Sequence, residues 1–154
     1  MTRLGRTLMF KTIIAATIIT STLFATGCTS TPSSTQQTQN LSLLQNKNWT
    51  LTHIGATEYK ADPSSRNAPS IQFGSDLRIS GSDGCNRIMG QYALKGQHVT
   101  IGQLASTKML CPSSMQIATQ YTEALSKVQG FQVYDKTLKL VDQHGNRVLQ
   151  FTTP

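Results

Sequence analysis

No two histidines in this chain are spaced for a metal: there are three, His53, His98 and His144, and none has a second histidine or a cysteine two or four residues away. Each is expected on the surface or half-buried. No Gly-x-Ser-x-Gly elbow occurs, and neither Cys85 nor Cys111 has a histidine near it in any familiar local signature. Pro112-Ser113-Ser114, ahead of the one convincing helix, lacks the glycines of a phosphate-cradling loop. Acid is scarce, with seven Asp and Glu in 154 residues. Glu58, Asp62, Asp76, Asp83, Glu123, Asp135 and Asp142 mostly fall in expected turns or on the polar helix face, where local hydrogen bonding accounts for them. Basic residues never run four together, which argues against nucleic acid. These absences leave no catalytic residues, no metal, no cofactor and no enzymatic activity to expect.

What is present begins with an address. Arg3, Arg6 and Lys11 precede an uncharged apolar run, Thr12 to Ala25, in the layout of a secretory signal peptide. Spanning a bilayer takes ~20 apolar residues, and this run is shorter and rich in Thr. It ends in Ala25-Thr26-Gly27-Cys28, which resembles the lipobox of bacterial lipoprotein precursors and implies cleavage after residue 27 and lipidation of Cys28. An ordinary signal peptide with a chance cysteine, or an uncleaved anchor, are the competing readings. Thr29 in place of Asp points to the outer membrane, with the domain facing the periplasm. Once residues 1–27 are removed, eleven of the fourteen Lys and Arg remain against all seven Asp and Glu, a net charge of +4 in place of +7. These charges are dispersed.

Residues 29–40 carry no apolar side chain and no charge, so nothing in them drives burial. Residues 28–40 are therefore expected to be a flexible tether, and 41–154 one domain. Trp49 to Ile54 alternates in period two, with Trp49, Leu51 and His53 on one side. Ser70 to Phe73 with Leu77 to Ser80, and Gln91 to Leu94 with Val99 to Ile101, read as hairpins. Leu104 to Leu110 reads as a further extended segment, and 131–134, 137–141 and 147–151 as three closing strands. A helix is expected over about 113–129, started by a Ser113/Gln116 capping box and stopped by Gly130, with Ile117, Tyr121, Ala124, Leu125 and Val128 as its apolar stripe. The pattern predicts an α+β domain, mainly antiparallel β: a curved sheet or partial β-barrel packed against one amphipathic helix.

Cys85 and Cys111 are the two cysteines whose thiols stay free of lipid after processing. In an oxidising envelope such a pair tends to join, at about 3.5 kcal/mol of unfolded-state entropy in the chain treatment. Two buried free thiols are the alternative. Around them Asn86 is expected to brace a turn, and Arg87 to pair with a carboxylate such as Asp83. The combined run of Gly84-Cys85-Asn86-Arg87, Gly90, Tyr92, Ile101-Gly102, Ala105-Ser106-Thr107, Met109 and Cys111-Pro112 resembles the META domain of the HslJ family of bacterial envelope proteins. The resemblance spans about Leu43 to Phe151 and implies a small, mainly antiparallel β domain with one helix. Members are associated with heat shock and with resistance to novobiocin-type stress, and no enzymatic activity comes with them. The expected function is a membrane-anchored envelope lipoprotein with a binding or stress-protective role. It would be held to the membrane through Cys28 and act on an envelope protein partner not yet identified. The alternative is a small hydrophobic ligand or lipid bound inside the partial barrel.

Overall fold

The computed structural model describes residues 34–60 and 68–154. The expected signal segment 1–27, the lipidation site Cys28, residues 29–33 and residues 61–67 lie outside the described residues. Pro32–Pro154 is a compact unit by itself. Its elements are α1 (Ser34–Leu44), β1 (Trp49–Ile54), β2 (Thr57–Glu58), β3 (Ser70–Phe73), β4 (Arg78–Ser82), β5 (Arg87–Lys95), β6 (His98–Ile101), β7 (Ala105–Ser106), α2 (Met115–Ser126), β8 (Gly130–Tyr134), β9 (Thr137–Val141) and β10 (Arg147–Thr152).

Eight of the strands form a closed antiparallel ring in the order β1-β3-β4-β5-β6-β8-β9-β10, with β10 returning onto β1. The short β2 and β7 pair with β1 and β5. The α+β, mainly antiparallel class read from the sequence is therefore the observed one, and the barrel is complete. Alternation sends Ile71, Phe73, Ile79, Ile88, Tyr92, Val99, Phe131, Leu138, Leu140, Leu149 and Phe151 inward. An eight-stranded ring has an interior just wide enough for side chains to fill. Here Trp49, Tyr121, Phe73 and Phe151 are the bulkiest groups filling it.

Two bulges reset the alternation. Leu51 faces Phe151 and His53 faces Gln150, so Thr52 is an extra residue in β1; the step from Arg147 to Leu149 against Val141 and Leu140 does the same at Val148 in β10. A bulge bends a strand and increases its twist, which suits closure of a small barrel. It also turns Ile54 toward the core, where strict alternation had put His53.

The helices lie at opposite ends of β1 and β3. Tyr121 of α2 donates its hydroxyl to the carbonyl of Ser70, where β3 begins (3.1 Å), and its ring meets Phe151 edge to face at 6.2 Å between centroids. At the other end, Asn46 N–H bonds to Phe73 O (2.8 Å), and Trp49 Nε1 donates to Leu44 O (2.9 Å). The helix α1 corrects the expected tether, since it runs through the boundary drawn at residue 40. Its buried Leu44 gives the segment the apolar anchor that its first residues lack.

The second helix is shorter than 113–129. Ser114 is its N-cap with no side-chain capping bond, so the Ser113/Gln116 box does not form. The carbonyl of Cys111 accepts the N–H groups of Ser114 and Met115 instead (2.9 and 3.0 Å). Gly130 is not a helix stop; it opens β8, and a Cβ there would press on Val141 Cγ2 at 3.2 Å. Of the expected stripe, Tyr121, Ala124, Leu125 and Val128 are buried together with Ala118, whereas Ile117 is half-buried at a cleft.

Burial holds the phenol of Tyr121 well above its ordinary pKa, and the nearby Asp83 carboxylate pushes it the same way. Tyr92, which accepts from Gln45 Nε2 and donates to Gly74 O (both 2.7 Å), is also raised, chiefly by burial. A phenol whose folded pKa exceeds its unfolded value stabilises the fold fully below pH about 10, and this contribution is lost as pH rises past it. Urea midpoints measured from mildly alkaline pH upward should therefore fall above pH about 10. Tyr121→Phe should shallow that fall without abolishing it, since Tyr92 remains, and should cost about 1 kcal/mol at neutral pH for the lost hydrogen bond.

Candidate functional site

The sequence motif folds into one corner where β4, β5, β7 and the start of α2 meet. Asp83 is buried, at 3% exposure, and its carboxylate organises the turn. Oδ1 accepts the backbone N–H groups of Cys85 (2.8 Å) and Asn86 (2.6 Å), and Oδ2 accepts the Asn86 side-chain amide (3.0 Å). Gly84 takes φ +95 in this turn, and a Cβ there would meet Pro69 Cγ at 3.1 Å and Ile117 Cγ2 at 3.4 Å. The position thus requires glycine for both its conformation and its closeness to α2.

Asn86 carries the turn across to the next segment, its Oδ1 accepting Met109 N–H (2.8 Å). Thr107 is fixed beside it: its N–H donates to Arg87 O (3.1 Å), and its Oγ1 accepts Arg87 N–H (3.0 Å). Cys85 and Cys111 are joined by a disulfide, with Cα atoms 5.8 Å apart. Through the Cys111 carbonyl, the same residue that closes the covalent loop also starts α2.

The rest of the motif serves the same corner. Ala105 and Ser106 form β7 against Met89 and Ile88. Gly90 leaves room for Leu104 to fold over β5, since a Cβ there would clash with Leu104 Cδ2 at 2.7 Å. Pro112 is exposed just before α2. The expected Arg87–Asp83 pair does not form. Arg87 is exposed, and the ion pair found among the described residues joins Arg78 to Asp76 at 3.6 Å. Asp83 is already engaged by three N–H groups, while Arg87 lies on an outward position of β5.

By sequence Asp83 reads as an ordinary turn carboxylate. The readable signal was Ser82-Asp83-Gly84 followed by Asn86, an Asp able to accept from residues two and three ahead. The exposed tip Leu110 carries no separate signal, since Leu104 to Leu110 reads as one extended segment; β7 covers two of those residues.

Asn86→Ala leaves Asp83 Oδ2 and Met109 N–H without these partners, at about 1.5 kcal/mol. Amide hydrogen exchange at Met109 should accelerate while exchange in β8 to β10 stays unchanged. Equal acceleration in both places would show that Asn86 supports the whole fold and not the corner.

Elsewhere, chemistry-bearing groups are dispersed. Among the described residues no three His, Cys, Asp or Glu side chains converge to hold a metal. His53 Nδ1 lies 3.1 Å from Thr52 Oγ1 and 3.4 Å from Gln150 Nε2, and His98 and His144 are exposed. An open cleft of about 380 Å³ runs between α2 and the β1–β2 turn, with Ile54, Tyr59, Ile117 and Val148 in its wall and Glu58, Glu123, Lys127 and Arg147 around it.

The META domain family model matches residues 42–154. A protein from Burkholderia xenovorans solved by NMR is 29% identical, covering 75% of this chain and 87% of its own, with TM-score 0.57. A second NMR structure is 26% identical over 72% of this chain and 92% of that one, with TM-score 0.56. A crystal structure of a DUF4847 family protein from Bacteroides vulgatus, 20% identical over 72% of this chain and 94% of its own, shares the fold at TM-score 0.53. No curated protein matches the chain. With the family model matching nearly all of the barrel and both halves of the disulfide corner, the chain belongs to the META domain family.

Proposed function

We propose that this META domain is the globular part of a bacterial envelope lipoprotein, anchored through Cys28 in the outer membrane facing the periplasm, and that it acts by binding and not by catalysis. The observation that carries the reading is how the motif corner uses its polar groups. Asp83, Asn86 and Thr107 all bond to backbone or to one another, which makes the corner a rigid mount for the surface around it. The lipobox-like Ala25-Thr26-Gly27-Cys28 supplies the address.

The test is cell fractionation with labelled fatty acid. The parent protein should carry label and sediment with membranes, and Cys28→Ser should carry none and move to the soluble fraction. A Cys28→Ser protein that stayed in the membrane would overturn the anchor. Cross-linking in living cells tests the binding role: cross-links should focus on one face of the domain, and an even spread would count against it.

A hydrophobic ligand is the second reading. The barrel interior is filled by side chains, so the ligand would occupy the cleft between α2 and the β1–β2 turn, whose Ile54, Ile117 and Val148 supply apolar wall. Ile117→Arg should then abolish binding of a fatty-acid probe without lowering the melting temperature much.

A further inference from the structure

The geometry points to a second membrane contact: the tip at residues 108–115 inserts into an anionic lipid surface. Leu110 is 94% exposed, with Met109 at 53% and Met115 at 50% on either side of it in sequence. A single exposed leucine is unremarkable on a mobile loop, but this one is held. Thr107 is fastened to Arg87, Met109 to Asn86, and Cys111 to Cys85. Every second residue is tied down, and Leu110 is carried outward between two of the ties.

Charge decides what the tip faces. From Gly84 to Thr122 the sequence has Arg87, Lys95 and Lys108 and no Asp or Glu. The carboxylate just before this stretch, Asp83, is buried and bonded to N–H groups. The one just after, Glu123, is eight residues beyond Met115 along α2, about 12 Å of helix rise, and lines a shallow surface pocket with Met115, Asn86 and Ser106. Lys108 and Arg87 flank the apolar tip and Glu123 stands on its α2 side, a net positive balance complementary to a surface of acidic headgroups.

A lipid surface fits better than a protein. A stable protein interface covers about 800 Å² on each side around aromatic or arginine anchors, whereas this tip offers one leucine and two flexible methionines. An interfacial lipid contact needs only a few apolar side chains with basic neighbours.

This inference rests on the reading that the domain works at a membrane. Its test omits Cys28, so the two can fail separately. The compact unit 32–154 is sedimented with vesicles of phosphatidylcholine and phosphatidylglycerol in equal parts, and with phosphatidylcholine alone. The mixed vesicles should bind it in a salt-sensitive manner, and the neutral ones far less. Leu110→Glu should weaken binding about ten-fold and Lys108→Ala about five-fold, with melting temperatures unchanged because both side chains are exposed. As an independent reading, the emission of Leu110→Trp should shift to the blue on adding mixed vesicles. Parent and Leu110→Glu binding equally, no binding to mixed vesicles, or no shift for Leu110→Trp would each overturn the proposal.

Discussion

Replacing Cys85 and Cys111 together by alanine should lower the melting temperature by on the order of 10 °C. The bond closes a sequence separation of 26 residues, and the chain treatment gives about 3.5 kcal/mol for a loop of that length. In a domain of this size each kcal/mol is worth about 3 to 5 °C. Native-side effects add to this loss. Cys85 is buried beside the Asp83 turn, and Cys111 supplies the carbonyl that starts α2, so both the corner and the first turn of the helix lose a fixed point. Mass spectrometry of protein alkylated without reductant should find neither cysteine labelled. Two labelled cysteines, or a double variant that melts with the parent, would remove the disulfide from the account of stability.

The strands were legible because each interior position repeats every second residue, as Ile71 and Phe73 or Leu138 and Leu140 do. Local turn chemistry placed the hairpins: Gly96 at φ 65 joins β5 to β6, and Asp135 at φ 50 joins β8 to β9. Closure was not legible, since the pairing of Leu51 with Phe151 joins residues a hundred positions apart and leaves no local trace. The bulges at Thr52 and Val148 were hidden for the same reason, since an extra residue shows only against its partner strand. The motif corner was legible as a unit, through its cysteines and its family resemblance. Its hub was not, because an Asp in a turn looks the same whether its carboxylate meets water or, like Asp83, three N–H groups. Nor was the start of α2, where the Ser113/Gln116 pattern suited a capping box but the helix takes Ser114 as its N-cap, one residue later, and leans on the Cys111 carbonyl, which accepts the N–H groups of Ser114 and Met115.

The same long-range logic sets the largest effect expected of a single substitution. Trp49 is the chain's one tryptophan and is fully buried. Its ring fills the barrel where β1 leaves α1, and its Nε1 donates to Leu44 O. Trp49→Ala removes the largest side chain from a ring that cannot collapse without breaking strand pairs, and should cost about 4 kcal/mol. That is a large share of the 5 to 15 kcal/mol typical of a whole domain. Trp49→Phe keeps much of the bulk but leaves the Leu44 carbonyl unpaired in a buried place, and should cost about 2 kcal/mol. Because the intrinsic probe is lost with the residue, unfolding is followed by far-ultraviolet circular dichroism in all three proteins. Hydrogen exchange separates the two contributions. The Gln45 amide, bonded to Leu41 O at 3.0 Å, should exchange faster in both variants if the indole hydrogen bond ties down the last turn of α1, and faster only in Trp49→Ala if bulk alone does so. The first outcome would make Trp49 the joint through which α1 belongs to the barrel; the second would leave α1 held by Leu44 and the Asn46–Phe73 pairing.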